Sequence, residues 1–197
     1  MKRKTFDFVL TAGGAVLTIV LVVAGVLLVW GANFANNDVH NQLAKQDISF
    51  PPLVAFQHPT GKEVRATMRP YLEQYAGQQV LTGKQAEAYA DHFIAIHLSE
   101  MTYGGVYSKV SAASMKNPTT AKLAAEVQTT FRGTTLRGLL LEAYGFSVFG
   151  EIAGIAAVLA FIFGGIMLIL TLLGLLHYRR VDYDVEFPKH DAGKAAD

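Results

Sequence analysis

Two long runs without a single charge dominate what this chain can fold into. Residues 8–30 read FVLTAGGAVLTIVLVVAGVLLVW and residues 152–176 read IAGIAAVLAFIFGGIMLILTLLGLL. At about 1.5 Å rise per residue, each makes a helix of roughly 35 Å or slightly more. That spans a hydrocarbon layer of about 30 Å with tilt to spare. Lipid offers no hydrogen bonds to a backbone, so an isolated segment crosses it only as a helix. The expectation is two transmembrane helices.

A basic N-terminus (Lys2, Arg3, Lys4) before an apolar run also suits a secretory signal peptide. Signal apolar regions usually run about 7–15 residues, however, and the following GANFANND has no small-x-small cleavage pattern, which favours an uncleaved anchor. Arg179 and Arg180 follow the second run directly. By the positive-inside rule both ends are expected in the cytoplasm and the intervening segment outside it. Trp30 and Tyr178 fall where interfacial aromatics belong. The expected organisation is a cytoplasmic N-terminus over residues 1–7, spans over 8–30 and 152–176, an extracytoplasmic domain over 31–151, and a disordered cytoplasmic tail over 177–197. The expected site is the cytoplasmic (inner) membrane of a bacterium, with the lipid bilayer as first partner.

Charged residues make up 17% of the chain, below the soluble average of about 25%, because all of them lie outside the two runs. The formal net charge is +1, which argues against nucleic acid as a partner. Residues 31–151 carry ten bases and ten acids, so no field steers a charged ligand there. The absence of cysteine removes disulfides, thiolate metal sites, cysteine nucleophiles and lipoprotein anchoring.

The middle segment reads as about four helices. Residues 33–46 are polar with Phe34, Val39 and Leu43 as sparse apolar points, and extend the first span outward until Pro51-Pro52 imposes an extended stretch. Val64, Met68, Tyr71, Leu72 and Tyr75 recur at helical spacing around Pro70. Thr82-x-x-Gln85 is a capping-box pattern opening a helix that carries Tyr89, Phe93 and Ile96 on one face. Tyr103-Gly104-Gly105 stops that helix, and Asn117-Pro118 breaks the chain again. Leu123, Val127 and Phe131 then step by four toward the second span. The fold class expected is therefore all-α: two transmembrane helices flanking a small helical extracytoplasmic domain.

Chemistry is sparse. His92, His97 and Glu100 are the nearest thing to a metal site, with His40 and His58 elsewhere in the domain. One-helix zinc sites want histidines at i and i+4, whereas an offset of five turns the second ring by about 140° on an α-helix. Surface histidines are the simpler reading, and no metal or cofactor is expected. No G-x-S-x-G elbow accompanies the serines. Glu142 and Glu151 sit in an apolar setting and suggest a proton route, but their offset of nine puts them on different faces, and Arg132 or Arg137 is available to pair with Glu142. Neither apolar run holds an ionisable residue, which argues against transport or proton conduction by this chain alone.

The spans do offer small residues. Gly150 and Gly154 open the second, and Ala156, Ala160 and Gly164 continue the ridge; Ala12, Gly13, Gly14 and Ala15 cluster in the first. Such ridges let helix backbones approach closely, within the chain, in a partner, or in a homo-oligomer.

The stretches HNQLAKQDISFPP (40–52), YADHFIAIHL (89–98) and FRGTTLRGLLLEAYGF (131–146) resemble a family of small two-span actinobacterial membrane proteins over most of residues 5–180. The resemblance carries no catalytic residues. It implies an actinobacterial inner membrane, where two-span accessory subunits accompany the cytochrome bcc–aa3 respiratory supercomplex. The expected function is thus a non-enzymatic accessory or scaffold subunit on integral membrane protein partners. The alternatives are a sensor-like ligand-binding module that signals through a separate partner, and a metal-binding protein centred on His92, His97 and Glu100.

Overall fold

Helix α1 (Arg3–Gln46) does not stop where its apolar run ends, because nothing in residues 31–46 breaks it. It terminates at Asp47, whose φ of +51° is a left-handed value that Asp tolerates better than most residues. The computed structural model describes residues 3–61 and 63–180, and within them the chain is all-helical with no strand. Residues 177–180 of the expected tail continue the last long helix, because nothing there breaks it, and the rest of that tail lies outside the described residues. Five short helices follow α1: α2 (Leu53–Gln57), α3 (Arg69–Leu72), α4 (Gly83–Tyr89), α5 (Ala95–Ser99) and α6 (Tyr107–Lys116). Helix α7 (Ala121–Arg180) then runs 60 residues without interruption. Short 3₁₀ turns flank α3 and precede α6, and a π turn (Ala90–Ile94) joins α4 to α5.

The Cα framework divides into two compact units, one from Met1–Gly31 with Ala153–Asp197 and the other Ala32–Ile152. In the first, α1 and α7 lie antiparallel: a Cβ added at Gly174 would meet Thr11, one at Gly14 would meet Thr171, one at Gly164 would meet Leu21 and Val22, and one at Gly25 would meet the Phe161 ring. Along α7 these contacts step by three and seven residues, which keeps them on one face as knobs-into-holes packing requires. The buried Thr18 hydroxyl donates back to the Gly14 carbonyl at 2.8 Å, satisfying itself within the helix. Beyond the seam, large apolar side chains point outward on both helices, and only 11% of each apolar window is buried. Core helices of a soluble protein do not look like this; both are long and apolar enough to cross a membrane.

The small-residue ridge sits differently from its reading in the sequence. Gly164 and Ala160 are buried against the partner helix's side, but between them and Gly154 it is Ala157, not Ala156, that is buried. Steps of four overshoot a turn by about 40° each, so an interface holds its direction only by alternating three and four. Gly154 and Ala156 are half-buried, and Gly150 packs near Ala35 in the second unit.

This seam yields a matched prediction. Gly164 contacts α1, whereas Gly165 faces open space. Gly164→Leu should lower the melting temperature of the full chain in detergent, while Gly165→Leu leaves it within the scatter expected of surface changes.

The second unit is built on Val39 and Leu43 of α1 and Leu140 of α7, with Phe50, Phe56, Val64, Met68, Leu72, Val80 and Ile94 packed among them. The chain after α1 is held extended as the double proline requires, Ser49 bridging Gln79 and Val80 N–H donating to Ile48 O at 2.8 Å. Pro52 then caps the short α2, a helical turn where the sequence suggested extension throughout. Helix α4 starts on the capping box: Thr82 Oγ1 accepts from Gln85 N–H, and Gln85 Oε1 accepts from Thr82 N–H at 3.1 Å. Gly83 in its first turn lies directly against Ser147 of α7, where no Cβ fits.

Candidate functional site

The π turn is an unusual piece of backbone in the domain. Its i→i+5 bonds widen one turn, and such turns concentrate at functional sites. It carries Asp91 and His92, with His97 and Glu100 just beyond. The widening closes part of the 140° that an α-helix would place between His92 and His97, so the two rings lie at a smaller angle than an α-helix would give. Even so, the two rings are committed separately. His92 lies flat on Tyr71, ring centroids 3.7 Å apart and planes 4° from parallel. His97 Nδ1–H donates to Phe93 O at 2.8 Å, and its ring ends a ladder that runs Phe50, Tyr89, Phe93, His97 at 4.7 to 5.4 Å between centroids.

Glu100 is also taken. Arg65 Nε donates to Glu100 Oε1 at 2.6 Å and its second nitrogen donates to Oε2, a bidentate fork across 35 residues of chain. The fork holds the Glu100 carboxyl below the usual glutamate range, with burial pulling the other way, and raises the Arg65 guanidinium. Among the described residues no three His, Asp or Glu side chains stand close enough to hold a metal. The His92, His97 and Glu100 set is therefore not brought together, because each group satisfies itself on a neighbour.

Because the folded carboxyl is depressed, its stabilisation is complete above the unfolded pKa of about 4.3 and fades as pH falls through the lower folded value. Glu100→Gln should flatten the acid limb of a stability-against-pH curve measured on the full chain. At neutral pH the pair is partly exposed, so the change there should be small.

Arg137 differs from its expected partner. It donates to Asp91 at 2.6 Å, and Glu142 stays apart. Five residues along α7 separate Arg137 from Glu142, which places them on different faces. Glu151 meets Lys84 at 3.3 Å. Burial, with Glu63 nearby, pushes the Tyr89 phenol up, consistent with its place inside the ladder.

Two of the concavities in this unit have linings that suit a partner or ligand. One, of about 340 Å³, is lined by Tyr71, His92, Tyr75, Tyr144, Lys84 and Glu87, a polar aromatic pocket at the small end of ligand sites. The other, of about 430 Å³, is a groove between the α1 extension and α7. Val39, Leu43 and Leu140 form its floor, Leu139 and Phe146 its wall, and Asp38, Gln42, Gln46 and Glu142 its rim. The sequence reading missed this groove. The signal available was that Val39 and Leu43 fall on one face of residues 33–46, and Leu136, Leu140 and Ala143 on one face of α7. No family model, curated protein or solved structure matches this chain.

Proposed function

We propose that this chain is a non-enzymatic accessory subunit of a larger inner-membrane assembly. Two spans anchor it, both ends are cytoplasmic, and its helical domain stands on the extracytoplasmic side. The observation that supports this is how the polar groups are used. His92, His97, Glu100 and Arg137 all serve the domain's own packing, while the groove between α1 and α7 presents open apolar surface. An uncovered apolar groove of this kind suits association with a partner rather than chemistry. The resemblance noted above points to actinobacteria, where the cytochrome bcc–aa3 supercomplex is a host of the right kind. Purification of the tagged chain from its native membrane in mild detergent should yield a stoichiometric complex with other integral membrane proteins. Haem absorption bands in that complex would favour the respiratory host, and free monomer alone would overturn the proposal.

A second reading is a ligand-binding module that signals through a separate partner. The Tyr71–His92 stack favours it, since parallel aromatic faces beside Lys84 and Glu87 suit a small polar ligand. Ligand-dependent thermal stabilisation abolished by Tyr71→Ala would move this reading to the front.

A further inference from the structure

We propose that the groove between α1 and α7 receives an amphipathic helix whose apolar stripe is flanked by lysine or arginine. The inference rests on the accessory reading and supplies the chemistry of its partner. Two antiparallel helices already form the walls, and a third helix laid along their furrow is the natural completion of such a pair. From Asp38 to Gln46 the groove follows nine residues of α1, eight rises or about 12 Å, which is slightly over two turns of an incoming helix. Side chains at i, i+3 or i+4, and i+7 would reach the floor of Val39, Leu43 and Leu140.

The rim chooses the sign of the partner. Asp38 and Glu142 stand at the groove, and among the described residues neither takes part in an ion pair or side-chain hydrogen bond. Asp91 and Glu100, elsewhere in the domain, have each found a base. Leu139 is 59% exposed beside these two carboxylates, an apolar wall with acids along its edge. A second copy of the chain is a poor occupant, because a two-fold contact sets groove against groove and brings four carboxylates together. A helix with basic flanks answers both the apolar floor and the charged rim.

The test uses the full chain in phosphatidylcholine nanodiscs, with empty nanodiscs as control. Two labelled helical peptides share one apolar stripe and differ only in Lys or Glu flanks. The Lys peptide should bind about tenfold more tightly than the Glu peptide, the ratio that two rim ion pairs of surface strength supply. In Asp38→Asn with Glu142→Gln the two peptides should bind alike, and Leu139→Glu should weaken the Glu peptide further while removing apolar contact for both. Equal binding of the two peptides to the unaltered chain would overturn the proposal. So would a preference that survives the double variant, or the absence of binding together with Leu139→Cys disulfide dimers, which would assign the groove to a second copy. Co-purification tests the accessory reading separately, so either can fail without the other.

Discussion

Phe56→Ala should remove about 3–5 kcal/mol from the stability of the helical domain, a large part of the roughly 5–15 kcal/mol that holds a domain of this size together. Phe56 has no exposed surface at all, and it reaches the core from a helix of only five residues. So short a helix has no stability of its own, because nucleation costs more than one turn of hydrogen bonds returns. It exists because its aromatic ring is buried among the core residues that include Val64, Met68 and Val80. Removing the ring leaves a cavity and releases the turn that presented it. Val54 on the same helix is 60% exposed and provides the control, for which Val54→Ala should cost under about 0.5 kcal/mol. Urea titration of the full chain in nanodiscs, followed by hydrogen exchange of the domain's amides, separates the two. A Phe56→Ala variant as stable as the Val54→Ala control would contradict the assignment of Phe56 to the core.

Gly105→Ala is the second large effect, and its neighbour makes the argument clean. Tyr103, Gly104 and Gly105 form three successive left-handed residues, with φ of +56°, +64° and +66°. A Cβ at Gly104 would meet nothing within 4 Å, so Gly104→Ala carries only the conformational cost, about 1–2 kcal/mol. A Cβ at Gly105 carries the same cost and also collides with the carbonyl of Leu98, a backbone atom that cannot swing aside. Forced overpacking adds about 1–3 kcal/mol, so Gly105→Ala should cost about 2–5 kcal/mol in all. The same denaturation measurement applies, and equal losses at the two glycines would refute the close approach to Leu98.

These cases show what was legible in the sequence. The apolar runs were readable because lipid demands one composition over one length, whatever the rest of the chain does. The Thr82–Gln85 capping box and the stops at Tyr103-Gly104-Gly105 and Asn117-Pro118 are local, three or four residues acting on their own backbone. What stayed hidden spans long stretches of chain. Arg65 meets Glu100 and Arg137 meets Asp91 across 35 and 46 residues, and composition offers each base several acids. The π turn was hidden for another reason. ADHFI has no residue that demands it, so the angle between His92 and His97 was drawn on an α-helix that the chain does not form there. The ridge of small residues was visible but its phase was not, because Ala156 and Ala157 are chemically the same and only the partner helix distinguishes them.

Two helices are long and apolar enough to cross a membrane, and the topology proposed above has them carry the chain across and back with the helical domain outside. Because the chain has no cysteine, any one introduced is unique. Met115 is 74% exposed on α6, and Thr5 is exposed near the start of α1. In intact cells a membrane-impermeant maleimide should label Met115→Cys and leave Thr5→Cys untouched until the cells are opened. Labelling of Thr5→Cys from outside, or protection of Met115→Cys until lysis, would contradict the account.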